Sequence, residues 1–342
     1  MIAHLPIQHD VSLRSHNTFG IEASAHRYLR VLSVDALLAV RNDTALAALP
    51  RLVLGGGSNM LFTGDFPGLV LHMCSQGIEA IGEDADAVYI RAAAGENWHR
   101  FVRWTLDQGL AGLENLSLIP GSVGAAPIQN IGAYGVEVKD CIHAVSVFDF
   151  ATGEIRTLDN TACGFGYRDS VFKHALRDRA AVLNVTFALP KRWQPNSRYA
   201  DVAQELTARG LVAPTAQHIS DAVIAIRTRK LPDPAVIGNA GSFFKNPVVP
   251  KAQRDALLAQ YPQLVSYPQP DGSFKLAAGW LIDQCGWKGK HIGAAGVYEK
   301  QALVLVNRGG ACGQDIVRLV HAIQADVQAK FGVLLEPEPI FI

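Results

Sequence analysis

Residues 119–135, Ile-Pro-Gly-Ser-Val-Gly-Ala-Ala-Pro-Ile-Gln-Asn-Ile-Gly-Ala-Tyr-Gly, put a long main-chain surface next to almost no side-chain bulk. Gly121, Gly124, Gly132 and Gly135 are interleaved with Ser122, Ala125, Ala126 and Ala133. A ligand can lie directly against such a backbone, whose N–H groups donate to phosphate oxygens with no Cβ in the way. A second turn of this kind, Gly55-Gly56-Gly57-Ser58-Asn59, follows the apolar run Leu52-Val53-Leu54. The shorter loop alone reads equally well as a tight turn, whereas a close-packed turn in a β-rich domain is the lesser reading of the longer one. Taken together they favour a dinucleotide such as FAD between two subdomains. Neither loop has the phosphate-loop or the dinucleotide-fold glycine spacing, which excludes the two commonest nucleotide-binding architectures.

Other chemistries are excluded on motif grounds. No His-Glu-x-x-His helix and no Gly-x-Ser-x-Gly elbow is present, and the 11 histidines lack ligand spacing. His174, for example, reads as a surface or hydrogen-bonded residue, and no metal site is expected. Lys plus Arg and Asp plus Glu each number 31, so the net charge of zero offers nothing to nucleic acid or an anionic membrane. The segment Met1–Asp10 has no apolar stretch fit for a signal peptide, and no run is long enough to cross a bilayer. Five scattered cysteines, Cys74, Cys141, Cys163, Cys285 and Cys312, without Cys-x-x-Cys, suggest reduced buried thiols in a cytoplasm.

Several elements must position these loops. Tyr89–Ala92 reads as a strand, and apolar residues at helical spacing predict a helix over 96–108 that Gly109 stops. Val145–Phe150 and Val182–Phe187 alternate as half-buried strands, with a loop at 164–170 between them. Helices are expected at 201–209, from a Ser220 cap to before Pro232, at 251–260, at 275–285 and at 315–330, with a strand at 302–307. A length of 342 residues implies two or three domains, with boundaries near residue 75 and within 195–214.

Five segments carry a resemblance: Gly55–Asn59, Ile119–Gly135, Gly166-Tyr167-Arg168-Asp169-Ser170, Asn239-Ala240-Gly241-Ser242-Phe243-Phe244-Lys245-Asn246-Pro247 and Leu335-Glu336-Pro337-Glu338. Together and in this order they resemble the UDP-N-acetylenolpyruvoylglucosamine reductase (MurB) family, from about Asn17-Thr18-Phe19-Gly20 to the C-terminus. Tyr267-Pro268-Gln269-Pro270-Asp271-Gly272 resembles the longer subtype, in which a loop tyrosine covers the substrate. The implied fold is α+β, a two-subdomain FAD-binding module of the vanillyl-alcohol-oxidase (PCMH) type plus a third α+β substrate-binding domain. The implied division is residues 1–75 joined by the tail 332–342, residues 76–214, and residues 215–331.

The implied activity is NADPH-dependent reduction of UDP-N-acetylglucosamine enolpyruvate to UDP-N-acetylmuramate in bacterial peptidoglycan synthesis. A monomer is expected because no exposed apolar helix face stands out, and a cytoplasmic one from the cysteine usage. NADPH would reduce the FAD and leave; hydride would then pass to the substrate's C3 and a proton to its C2. Non-covalent FAD is expected, because neither glycine loop carries a His or Cys for attachment; another FAD oxidoreductase of the same fold, acting on a sugar or alcohol, is the alternative. By the resemblance, Gly55, Gly56, Gly57, Ser58 and Asn59 hold FAD together with Pro120, Gly121, Ser122, Gly124, Ala125, Ile128, Gln129, Asn130, Gly132, Ala133, Tyr134 and Gly135. Ser242 matches the proton donor, and Arg168 and Glu338 match the groups stabilising the enol-type intermediate. Tyr167, Tyr199, Lys230, Asn246, Tyr267 and Gln301 match positions that bind the substrate. Arg227 and Arg229, beside Lys230, read as a solvated basic helix face. The C-terminal tail is expected to return near the flavin, so that Glu338 shares a site with Ser242.

Overall fold

The computed structural model describes residues 5–342. The reading of Met1–Asp10 therefore lies, for residues 1–4, outside the described residues. The chain forms two compact units. The first comprises the described residues up to Val11, Ser24–Gly57 and Phe66–Arg229; the second comprises Ser12–Ala23, Ser58–Asp65 and Lys230–Ile342.

The first unit holds two main sheets, besides the short pairing of Gly132–Ala133 with Val136–Glu137. In one, the strands Ser24–Val31, Phe66–Met73 and Arg51–Leu54 run parallel, with Gln8–Ser12 at the edge. Period-2 alternation puts Leu29, Val31, Leu69, Leu71 and Met73 into one buried cluster with Leu37 and Val40 of the helix Val34–Asn42. The register Leu54↔His72 closes the parallel pairing immediately before Gly55, so the first glycine loop leaves from a strand end. The other sheet is antiparallel, in the order Ile155–Asp159, Ile142–Asp149, Ala180–Pro190, Ala87–Ala93, Ile78–Glu83. Val145, Val147, Val185, Phe187, Ile90 and Ala92 join Trp98, Phe101 and Val102 of the helix Trp98–Asp107 in the core. That helix begins two residues later than its apolar spacing suggests, because Asn97 caps it: the Arg100 N–H donates to Asn97 Oδ1 at 3.0 Å.

The second unit is built on the sheet Gly238–Ser242, Val304–Asn307, Ala295–Val297, His291–Ile292 and a small sheet of Val248–Val249, Phe274–Leu276 and Ser266–Pro268. The helix Gly313–Phe331 buries Ile316, Leu319, Val320, Ile323 and Val327 as one stripe and ends on Gly332 in the left-handed region (φ 65°).

Three expectations change. Residues 275–285 split into the strand Phe274–Leu276 and the helix Ala278–Gln284, because Lys275 pairs with Val248 and Asn246 Oδ1 accepts the Ala278 N–H at 2.9 Å. Ser220 does not cap a helix but lies buried within Ala216–Lys230, its Oγ 2.8 Å from Ser117 Oγ; the Thr215 hydroxyl, accepting the His218 N–H at 3.2 Å, takes the first turn. All five cysteines are free, but only Cys141 and Cys163 are buried, and Cys312 is exposed at the head of the last helix. Among the described residues no helix is long and apolar enough to cross a membrane, and no cluster of His, Cys, Asp and Glu could hold a metal.

Candidate functional site

The two glycine loops meet within the first unit. A Cβ on Gly56 would lie 2.8 Å from Gly121 Cα, and one on Gly55 would lie 2.5 Å from Ser122 Oγ. Residues 121–124 run beside the end of the Ala87–Ala93 strand: Trp98 N–H donates to Gly121 O (3.1 Å), Val123 N–H to Glu96 O (2.9 Å), and Gly124 N–H to Ala94 O (2.9 Å). Gly124 therefore serves close packing; the N–H groups of Gly55, Gly56, Gly57, Gly121 and Ser122 take no part in the loop and turn hydrogen bonds of the described residues. Ser122 is buried, and its Oγ has no hydrogen-bond partner. Uncommitted N–H groups on two touching glycine turns, beside a buried unpaired hydroxyl, are the donor set that a dinucleotide's phosphates require. The residues fit FAD.

The expected loop 164–170 docks along the second glycine loop by three hydrogen bonds. Ser170 Oγ donates to Ile128 O (2.6 Å), Asn130 Nδ2 to Gly166 O (2.9 Å), and Arg168 Nη2 to Gly132 O (3.0 Å). Asn130 is fully buried with φ 44°, and its side chain also meets Glu137 Oε2 and the Lys139 N–H. It shapes the loop through its side chain. Arg168 sits third in the Gly166–Asp169 turn at φ 54°, a conformation that non-glycine residues adopt at a cost and that clusters at functional sites. Its guanidinium lies 5.7 Å from the centre of the Tyr167 ring. Burial would raise the Asp169 carboxyl pKa, but hydrogen bonds from His174 and the Ser170 N–H hold it low. His174 is the exposed hydrogen-bonded residue expected of it.

A further layer braces the loop from behind. Leu118 (φ 59°) donates its N–H to His99 Nδ1 at 3.0 Å and accepts at its carbonyl from Arg227 Nε at 3.2 Å. Arg227 is enclosed nearly all round with a residual exposed edge; this burial drives its pKa down, opposed by the neighbouring Tyr134 hydroxyl. Burial raises the Tyr134 pKa, and the ring packs edge-on against Tyr199 at 5.3 Å. Reading Arg227 as a solvated residue therefore failed, while Arg229 is exposed and pairs with Glu205. The spacing Ser220, Val223, Arg227 already placed Arg227 on the buried stripe of its helix. No sequence signal marked His99.

In the second unit the backbone gathers residues far apart in sequence. Gly241 (φ 71°) bulges the strand before Ser242, its N–H held by Asn239 Oδ1 at 2.9 Å. Glu338 N–H then donates to Phe243 O at 2.8 Å, and Lys245 N–H to Glu336 O at 2.9 Å, which lays the tail beside residues 243–245. Asn59 Nδ2 reaches Glu338 O at 3.2 Å, and Ile340 and Phe341 pair with Met60 and Leu61. Ser242, Glu338 and Asn59 are thus held in one neighbourhood, with Ser58 next in chain. Asn246 starts the Ala278–Gln284 helix through Oδ1, and Gln301 Oε1 accepts the Leu303 N–H at 3.2 Å. Tyr267 is half-exposed on the strand Ser266–Pro268, paired with Lys275, rather than in the hairpin loop that follows. Lys230 ends the helix Ala216–Lys230.

Residues 25–159 match the FAD binding domain family, and residues 233–342 match the family described as UDP-N-acetylenolpyruvoylglucosamine reductase, C-terminal domain. The chain is 60% identical to the UDP-N-acetylenolpyruvoylglucosamine reductase of Azoarcus sp. (strain BH72), over 99% of this chain and 98% of that relative. It is 58% identical to the reductase of Dechloromonas aromatica (strain RCB), over 97% of this chain and 98% of the relative. The crystal structure of the reductase (MurB) from Thermus caldophilus shares the fold, with a TM-score of 0.69 over 99% of both chains at 24% identity. Its α+β fold, its FAD-binding module and this full-length identity place the chain in the UDP-N-acetylenolpyruvoylglucosamine reductase (MurB) family.

Proposed function

We infer that the chain reduces UDP-N-acetylglucosamine enolpyruvate to UDP-N-acetylmuramate with NADPH, using non-covalently bound FAD, in bacterial cell-wall synthesis. The observation that carries this reading is the 60% identity over essentially the whole chain. Held by the two glycine loops, FAD would supply the hydride carrier between NADPH and the substrate's C3. The protein must then stabilise the negative charge that develops on C2 and the adjacent carboxylate, and deliver a proton to C2.

Ser242 is the donor in this reading. A serine hydroxyl is a weak acid in water and works only when held beside the developing carbanion. The Gly241 bulge and the fully buried Phe243 next to it support such fixed placement. Arg168 pairs its guanidinium with the substrate carboxylate and strengthens that bond as charge accumulates; its unfavourable φ supports a functional constraint. Glu338, in its protonated form, hydrogen-bonds the enol-type intermediate. Tyr167, Tyr199, Lys230, Asn246, Tyr267 and Gln301 bind the UDP-sugar, with Lys230 as a point charge for the diphosphate. The glycine loops serve the FAD. We assign residues 1–75 with the tail 332–342, and residues 76–214, to the two halves of the FAD module, and residues 215–331 to the substrate domain. The enzyme acts in the cytoplasm as a monomer, which size-exclusion chromatography with light scattering tests.

Anaerobic flavin spectroscopy on the purified holoprotein tests the whole reading. NADPH should bleach the oxidised-flavin band, and added UDP-N-acetylglucosamine enolpyruvate should restore it. Bleaching without return would mean a flavin reductase whose true acceptor lies elsewhere. Flavin that stays attached after acid denaturation would overturn non-covalent binding.

A further inference from the structure

Leu118 stands one residue before the segment 119–135, in the left-handed region, where a leucine is strained. Nothing in its own side chain favours that geometry, so the surrounding structure must impose it. Two polar groups do so from two helices. His99 Nδ1, on the helix Trp98–Asp107, accepts the Leu118 N–H at 3.0 Å, and Arg227 Nε, on the helix Ala216–Lys230, donates to the Leu118 carbonyl at 3.2 Å. The residue before it is fixed as well, through the buried Ser117–Ser220 hydroxyl pair at 2.8 Å.

The two sides of this clamp differ in kind. A guanidinium donates at every physiological pH. An imidazole nitrogen accepts only while it carries no proton, so the bond from Leu118 requires neutral His99 with its hydrogen on Nε2. We propose that His99 is a positioning residue of the FAD site, a proton-sensitive latch that holds residues 118–135 in their flavin-binding conformation while neutral and releases them when protonated. This rests on the family's FAD site as described above. The groups facing the imidazole oppose protonation: Arg103 on the same helix, itself paired with Asp221 at 3.1 Å, and Arg227 from the opposite helix, beside Tyr134. Burial and these two cations, in that order, hold the His99 pKa below the ordinary histidine value. The latched state therefore binds fewer protons than the released state, and its stability declines as pH falls below about 6.5.

The test compares His99→Asn with His99→Leu. Asparagine places an amide oxygen near the position of Nδ1 and cannot titrate; leucine keeps bulk without an acceptor. Apoprotein is titrated with FAD by fluorescence quenching between pH 7.5 and 5.5, and the amide protection factor of Leu118 is read by hydrogen exchange on the same apoproteins. Wild type should lose FAD affinity toward acid. H99N should match wild type at pH 7.5 and lose less at pH 5.5. H99L should bind FAD about 3- to 10-fold more weakly at every pH, on the scale of one hydrogen bond, with lower Leu118 protection. Wild-type affinity in H99L at pH 7.5, or an unchanged pH slope in H99N, would overturn the latch while leaving the FAD site intact. If wild type itself took up no FAD, the FAD site would fall, and equal Leu118 protection in all three proteins would then refute the latch independently.

Discussion

Around residues 117–135 side chains brace a main chain: His99 and Arg227 take the two polar groups of Leu118, Asn130 ties its loop to residues 137, 139 and 166, and Ser170 and Arg168 reach the carbonyls of Ile128 and Gly132. Around residues 242 and 338 the roles are exchanged. There the main chain does most of the holding, through the Glu338–Phe243, Lys245–Glu336 and Ile340–Asn59 bonds, with Asn59 Nδ2 on Glu338 O and Asn239 Oδ1 on the Gly241 N–H in support. Binding a phosphate-bearing cofactor needs exposed N–H groups in a rigid curve. Moving a proton needs one side-chain atom in one place. The two neighbourhoods should therefore fail differently under substitution.

The largest effect is expected at Ser242. Ser242→Ala should keep FAD content and NADPH-driven flavin reduction but slow reoxidation by the enolpyruvyl substrate by about 10²–10⁴-fold, the usual worth of a positioned acid. Stopped-flow measurement of the two half-reactions separates them, and equal losses in both would make Ser242 structural. The opposite pattern belongs to Gly56→Ala. Its Cβ would meet Gly121 main chain at 2.8 Å, which cannot yield as a side chain can. Overpacking of this kind costs about 1–3 kcal/mol, or roughly 5- to 150-fold in FAD affinity. FAD titration is the measurement, and unchanged affinity would show that the loops tolerate separation.

A smaller loss is expected at Ser170, whose hydroxyl donates to Ile128 O and accepts the Phe172 N–H. Ser170→Ala should weaken FAD binding about fivefold, since one buried hydrogen bond contributes about 1 kcal/mol. Substrate-driven reoxidation of the fully loaded variant should stay near wild type. A selective loss there would blur the distinction between the neighbourhoods.

On flavin binding and turnover the smallest effect is expected at Asp149, which acts on stability alone. It lies just beneath the surface, yet only 1% of its side chain is exposed, and Arg156 and Arg179 reach it at 3.3 and 3.2 Å. Burial would raise its pKa, but the Ala151 N–H and the two arginines bring it below the ordinary aspartate value. The sign follows: the stabilisation is present above about pH 4 and is lost as pH falls through the lower folded-state pKa. Asp149→Asn should cost about 1–3 kcal/mol at pH 7, and the gap from wild type should close toward pH 3 in denaturant titrations. A constant gap across that range would remove the charge from the explanation.

Much of this architecture was legible in local chemistry. Apolar spacing located the Lys251–Gln260 and Gly313–Phe331 helices, and alternation located the Ile142–Asp149 and Ala180–Pro190 strands. Where reading failed, a distant partner had decided the outcome. Lys275 looked helical until Val248 paired with it, and Ser220 looked like a cap until Ser117 met it across the core.

The glycine loops, the Ser242 and Glu338 motifs and their order along the chain are local properties. Backbone conformational freedom and side-chain type reside in single residues, and a family resemblance reads both. Which N–H groups stay uncommitted, why the Gly124 N–H is spent on Ala94 O, and how His99 and Arg227 come to hold opposite ends of Leu118 are decided only on folding. Each depends on groups separated by 19 to 109 positions in the chain, and no local propensity encodes a hydrogen bond whose partner arrives with the tertiary fold.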